Sequence, residues 1–467
     1  MKVLLVNPPH SFSSQNPLGS AGLSLPPLGL LYIAGYLRRE MPAARIKVID
    51  RPGRKLGAEE FGAEVKAFGP DLAGITVYTG TFTSSMNAAA AIKKNCPACF
   101  TAAGGPHASA RPLECLEKGA FDAVIRGEGE RPFAELAAKL AEGLSPEGIG
   151  GLTLKNAQSA SAAKYPPLSL DALPPPAREL VDLGLYRPSV FGYTRLPVTS
   201  MLTSRGCPFS CRFCSKSVFG SEYRAQSPGK TMEEIRLLTG TYGIREITFQ
   251  DDTFTFDRAR VLELCALLAG SGLDLTWSCM TRVDLVDDEL LKKMKESGCV
   301  SIAFGIDGAG DEACGLLGKG FKTGRAREAV ASARAAGIQS RGYYVLGYPG
   351  ETPESMQAAL KNIMEIDTDH IFLTFAHPFF DTPLYAEAKE KGLLLASDEE
   401  LRDSYDNTQS LIQVPGVSRG AMLRFYKRAY LEYYFRPSRL FNRIASVRSA
   451  GDLAGQLGAF GRFLKWY

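Results

Sequence analysis

Apolar runs of four to six residues alternate along most of this chain with longer segments of helical period, and the alternation comes in two series. The first opens at Lys2–Val6 and is stopped by Asn7-Pro-Pro. It continues as helix Leu28–Arg38, strand Ile46–Asp50, helix Ala58–Phe68, strand Leu72–Val77, helix Ser84–Lys94, strand Phe100–Ala103, helix Leu113–Lys118, strand Ala123–Ile125 and helix Pro132–Glu142. Strands that are apolar throughout are covered on both faces, so residues 1–150 are predicted to form a parallel, doubly wound, Rossmann-like α/β sheet. Residues 151–197 interrupt the pattern with an Ala/Ser tract, Pro166-Pro and Pro174-Pro-Pro, a composition that favours an extended linker.

The second series occupies 198–390: strand Val198–Thr203, helix Met232–Thr241, strand Glu246–Phe249, helix Arg258–Ser271, strand Leu275–Cys279, helix Asp287–Ser297, strand Ser301–Gly305, helix Gly324–Ala336, strand Gly342–Leu346, helix Pro353–Ile366 and strand His370–Phe375. About six βα units predict a partial (β/α)6 barrel of the TIM type, with functional residues at the carboxyl ends of its strands. Residues 391–467 are predicted as a small helical domain. There Phe425, Tyr426, Ala429, Tyr430, Tyr433 and Tyr434 recur on one face, and basic residues such as Arg436, Arg439, Arg443, Arg448 and Lys465 are interleaved with them. Aromatics at helical spacing more often mark a core-facing stripe than a nucleic-acid surface, and a helical unit closing the barrel mouth is expected.

Composition narrows the class without naming a function. The 467 residues exceed one ordinary core, and 45% hydrophobic with 22% charged residues describes a globular protein. A net charge of +4, from 54 basic and 50 acidic residues, gives no reason to expect nucleic acid. The apolar run at the start is too short for a membrane span or a secretory signal, so a cytoplasmic location is expected, where the ten cysteines stay reduced.

Three of those cysteines carry the chemistry. Cys207, Cys211 and Cys214 form a C-x3-C-x2-C array directly after the first strand of the second series. Thiolates at this spacing can close on one metal centre, and an iron–sulfur cube held by three of them keeps one iron open to an outside ligand. A structural zinc site would want a fourth ligand, and Cys265 and Cys279 each lack a second ligand at knuckle spacing. Cys96-Pro-Ala-Cys99 is a lone pair at a helix-to-strand junction and reads as incidental.

With Phe213 before its last cysteine, the array resembles the signature of the radical S-adenosylmethionine (SAM) superfamily. The order of Asn7-Pro-Pro, Pro26-Pro-Leu-Gly-Leu-Leu, Gly104-Gly-Pro-His107 and Gly127-Glu-Gly-Glu130 resembles the cobalamin-binding domain that precedes many of these enzymes. The motif Asp-x-His-x-x-Gly, whose histidine ligates cobalt in other cobalamin domains, is absent. The resemblance implies a 4Fe-4S cluster on Cys207, Cys211 and Cys214, with SAM chelating the open iron and cleaved to a 5′-deoxyadenosyl radical. It also implies cobalamin without a histidine from that motif, and an external one-electron donor such as ferredoxin or flavodoxin.

Residue by residue, the resemblance places SAM contacts at Phe213, Gln250, Asp251, Asp252, Ser278, Arg282, Asp307 and Tyr344. Arg282 is expected to meet the SAM carboxylate and Gln250-Asp-Asp252 its amino group, although the family's common Gly-Gly-Glu is missing. Cobalamin contacts fall on Pro9, His10, Thr76, Tyr78, Thr79, Thr81, Gly104, Gly105, His107, Gly127 and Glu128, with Tyr78 and Thr79 under the cobalt. His10 and His107 are read as hydrogen-bonded loop residues rather than cobalt ligands. The implied reaction is C-methylation of an unactivated carbon, with ring closure or rearrangement as the alternative radical outcome and a non-enzymatic cofactor carrier as a third reading. The substrate, a small molecule or a peptidyl residue such as the glutamine of methyl-coenzyme M reductase, is not legible.

Overall fold

The computed structural model describes residues 1–9, 25–157, 164–186, 193–404 and 409–437; His10 and the basic residues beyond 437 lie outside them. In the first sheet β1 (Lys2–Asn7), β2 (Arg45–Asp50), β3 (Leu72–Thr76), β4 (Phe100–Gly104), β5 (Ala123–Ile125) and β6 (Leu152–Leu154) run in the order β2-β1-β3-β4-β5-β6. All pairs are parallel except β5 with β6. The uniformly apolar β1 is used on both faces: Val3 and Leu5 enter one helix-covered core, Leu4 and Val6 the other. Full burial of each such side chain contributes about 1.5–3 kcal/mol. β6 falls past residue 150, where the proline-rich composition alone suggests linker, because a three-residue strand is too short to show a period.

The connector is pinned rather than loose. Leu170, Leu173 and Ala177 join the first core. The buried Arg178 pairs with Glu234 at 2.8 Å and donates to the Ser200 carbonyl at 2.9 Å.

The second sheet contains β7 (Val198–Met201), β10 (Glu246–Phe249), β11 (Thr276–Thr281), β12 (Cys299–Asp307), β13 (Gln339–Leu346) and β14 (His370–Phe375), and a separate two-stranded ribbon of β8 (Ser204–Arg205) and β9 (Arg224–Ala225) lies between β7 and β10 in the chain. Its six strands are all parallel in the order β14-β13-β12-β11-β10-β7, a partial barrel with β7 and β14 at its edges. The helix Arg419–Tyr434 does not sit over the mouth as expected; it covers the β14 edge. Its Tyr430 and Tyr434 hydroxyls accept from the Leu373 and Ile371 N–H groups at 2.9 and 3.1 Å. Unpaired edge amides need acceptors, and the aromatic stripe supplies them. Among the described residues no helix is long and apolar enough to cross a membrane.

Candidate functional site

The order β2-β1-β3 places a topological switch point between β1 and β3, where an open sheet leaves a crevice beyond its carboxyl ends. A cavity of about 950 Å³ begins there and extends to the mouth of the barrel. One wall is Asn7, Thr76, Tyr78, Thr79, Gly104, Gly105, His107, Gly127 and Glu128 from the first domain. The other is Cys207, Phe213, Cys214, Lys216, Gln250 and Asp252 from the barrel, with Phe379, Phe380 and Asp381 joining them. The two series of strand ends, separate in sequence, therefore face one space.

The cysteine loop is held from both sides. Asp251 is buried, and its oxygens accept from Thr203 N (2.7 Å), Thr203 Oγ1 (2.6 Å) and Ser204 Oγ (2.7 Å), fixing the start of the loop. Arg212 N donates to the Leu317 carbonyl at 3.1 Å, and the Arg212 carbonyl accepts from Leu384 N at 3.0 Å. Cys207 Sγ lies 3.5 Å from Thr253 Oγ1, and Cys211 Sγ lies 3.9 Å from Arg282 Nη1. Among the described residues no three His, Cys, Asp or Glu side chains converge on a single-ion position. A cube binds its thiolates through separate irons, so its three cysteines need not meet at one point. Desolvation by the surrounding loop, reinforced by Cys211, Asp252 and Cys207, pushes the exposed Cys214 thiol up to about 12, and a bound iron would favour its thiolate.

Asp252 stands on the cavity wall beside this loop. Desolvation and its neighbour Asp251 raise its carboxyl above the ordinary range, against the pull of Lys216. Asp252 is exposed to the cavity, and a carboxyl placed so is suited to an arriving cation such as an ammonium group. Gln250 supplies a neutral amide at the same strand end.

On the opposite wall, His107 is buried and hydrogen-bonded through Nδ1, while Nε2 makes no hydrogen bond among the described residues. Nδ1 lies 3.2 Å from Thr79 Oγ1, Nε2 faces Glu114 Oε2 at 3.5 Å, and the ring packs between Phe82 and Phe380. Tyr78, Thr79 and the glycines thus offer a wall on which a large planar group would fit. Gly105 has φ 97° and ψ −175°, and a Cβ there would lie 3.1 Å from Thr76 Cγ2, so the turn that opens this wall requires glycine.

Several expected contacts are placed elsewhere. Asp251 is consumed by the loop anchor. Tyr344 points into the layer between the sheet and its helices, whereas Tyr343, on the opposite face by strand alternation, stacks on Phe372 at 4.8 Å. Arg282 has its fork closed on Asp284, with Nε to Oδ1 at 2.9 Å and Nη2 to Oδ2 at 2.8 Å, so it is not open to a SAM carboxylate. Asp307 pairs with the buried Lys319 at 2.5 Å. Ser278 hydrogen-bonds Thr248 at 3.3 Å and is off the cavity wall. Pro9 and Thr81 support the first-domain loops from behind, through Ser84 (2.6 Å) and the Tyr78 N–H (3.0 Å). Glu128 reaches the cavity, but its carboxylate pairs with Arg205 and Arg224.

Sequence reasoning missed Lys216, Lys319, Asp284 and Phe379-Phe380-Asp381. The one usable signal was Gly318-Lys-Gly320, a lysine flanked by two glycines of positive φ.

Two family models match the chain: the B12 binding domain over residues 17–137 and the Radical SAM superfamily over residues 201–363. An uncharacterized methyltransferase of Pyrococcus horikoshii is 34% identical over 450 residues, 95% of each chain. The anaerobic magnesium-protoporphyrin IX monomethyl ester cyclase of Rubrivivax gelatinosus is 23% identical, covering 93% of this chain and 79% of its own. Among solved structures, the radical S-adenosylmethionine methyltransferase TsrM of Kitasatospora setae, with cobalamin and a 4Fe-4S cluster bound, superimposes with a TM-score of 0.68 at 21% identity. It covers 84% of this chain and 78% of that one, which shows a common fold.

Proposed function

This chain belongs to the cobalamin-dependent radical SAM methyltransferase family, and on that basis we propose that it C-methylates an unactivated carbon of a substrate held in the cavity between its two domains. The observation that carries the reading is the shared cavity: Cys207 and Cys214 stand on one wall, and Tyr78, Thr79, Gly104 and Gly105 on the other. When bound, the 4Fe-4S cluster with SAM supplies a hydrogen-abstracting radical, and cobalamin supplies the methyl group.

The chain's own residues align and enclose. Cys207, Cys211 and Cys214 would hold the cluster, and Gln250 and Asp252 would receive the amino end of SAM. Tyr78, Thr79, Gly104 and Gly105 would cradle the corrin, beside His107, whose Nδ1 is held by Thr79. Phe379 and Phe380 help exclude water, which cofactor chemistry of this kind requires of its protein. The electron comes from a ferredoxin or flavodoxin, in a cytoplasmic setting. The substrate is a small molecule or a single peptidyl side chain such as glutamine.

The test is anaerobic reconstitution with iron, sulfide and cobalamin, followed by turnover with methyl-labelled SAM. The expected result is four irons and one cobalamin retained per chain, with label moving to product; partition of that label between small molecules and protein identifies the substrate form. A loaded cluster with no cobalamin retained rejects the methyl-transfer reading. A ring-closing activity, favoured by the similarity to the cyclase over 93% of the chain, would give a product without the added methylene.

A further inference from the structure

The guanidinium of Arg282, expected to face SAM, is built into the cysteine loop instead. It leaves the end of β11 and is 5% exposed. Nε and Nη2 close on Asp284, and Nη2 also donates to the Lys319 carbonyl. Its plane lies over Phe209, two residues before Cys211, at 3.7 Å from the ring centroid, and Phe321 approaches at 5.2 Å. These contacts come from three separate segments and leave Nη1 as the end of the fork directed at Cys211 Sγ, 3.9 Å away. Lys319 adds a second cation close enough for Cys211 to raise its pKa, although burial opposes that shift and Asp307 contributes more to it.

We infer that Arg282 is a positioning residue that raises the reduction potential of the cluster, by directing Nη1–H at the sulfur of Cys211. The inference rests on the proposed role of Cys211 as an iron ligand. Hydrogen bonds to ligand sulfurs and nearby positive charge both favour the more anionic, reduced cluster. One-electron reduction adds one negative charge, which Nη1 partly offsets through a contact that is already in place. Asp284 and Phe209 keep the side chain from relaxing towards other acceptors. Lysine lacks the fork that makes this geometry possible.

The experiment is an EPR-monitored redox titration of the full chain, reconstituted anaerobically and titrated with dithionite. Wild type is compared with R282Q, R282K and D284N. In R282Q the ratio of reduced to oxidised cluster at a fixed poise is expected to fall roughly tenfold, a shift of about 59 mV to more negative potential for one electron. R282K should shift in the same direction by less. D284N keeps the guanidinium and removes its counter-charge, so its potential should rise. R282Q and D284N moving in the same direction, or R282Q loading four irons with an unmoved potential, overturns the inference. If R282Q does not load, D284N decides by the sign of its shift. Wild type without a four-iron signal would overturn both this inference and the proposed cluster site.

Discussion

Arg205 lies between two carboxylates of the other domain, with Nη1 2.5 Å from Glu128 Oε2 and Nη2 2.6 Å from Glu130 Oε1. Arg205 is two residues from Cys207, and Glu128 and Glu130 follow the end of β5, so the pair ties the cysteine loop to the first sheet. Tyr32 and Phe219 stack on the same guanidinium at 5.1 and 5.2 Å.

Removing this cation leaves two largely buried carboxylates without it. Arg205→Met should therefore destabilise the chain by about 3–5 kcal/mol, the usual cost of breaking a buried ion pair from one side. Arg205→Lys should recover only part, since an ammonium cannot serve both carboxylates in the same plane. Urea unfolding midpoints check both, and cobalamin retention on gel filtration reports whether the domain junction has opened.

Each single substitution Cys207→Ala, Cys211→Ala and Cys214→Ala should remove the four-iron absorption after reconstitution. Deoxyadenosine formation from SAM should fall to background. None of the three is buried in the core, so far-ultraviolet circular dichroism and the unfolding midpoint of the cluster-free chain should stay near wild type. Cys99→Ala, by contrast, should leave cluster loading intact.

Gly105→Ala introduces a Cβ at φ 97°, within 3.1–3.3 Å of Thr76 and Val77 atoms. Backbone in this region is essentially restricted to glycine, and the substitution should cost about 1–3 kcal/mol. The strain sits on the cavity wall, so cobalamin affinity by equilibrium dialysis should fall while iron content stays near four per chain.

Glu351 is buried after β13 and accepts from the Gly347 N–H at 2.5 Å. Burial outweighs that hydrogen bond and pushes its carboxyl up to about 8, from an ordinary value of 4.5. Between those values the folded state holds a proton that the unfolded state has released, so unfolding free energy should decline as pH rises from about 4.5 to 8. The slope attributable to this one group is at most about 1.4 kcal/mol per pH unit. Glu351→Gln keeps an acceptor for Gly347 and should flatten that part of the profile, with its largest gain over wild type above pH 8. Denaturant midpoints measured from pH 5 to 9 give the comparison.

The pattern of apolar runs was enough to find two βα series, the loops that follow their strands and the three-cysteine array, because strand and helix periods and thiolate spacing are local properties. Gln250, Asp252 and the Gly104-Gly105 turn come to the cavity for that reason: each ends or closely follows a strand whose neighbours are parallel, and Cys207 stands in the loop beyond β7. Side-chain partnership was not local. Glu128 meets Arg205 across 77 residues, and Asp307 meets Lys319 only because the loop after β12 folds back. Tyr344 illustrates the sharpest limit. A register shift between Gly305 and Asp307 pairs Asp307 with Tyr344, and alternation turns Tyr344 towards the helices while Tyr343 takes the opposite face. A one-residue slip reverses the face of every later side chain. Composition and spacing therefore determined what chemistry this chain can assemble, and the packing of distant strand ends decided which charges are already spoken for and which still face the cavity.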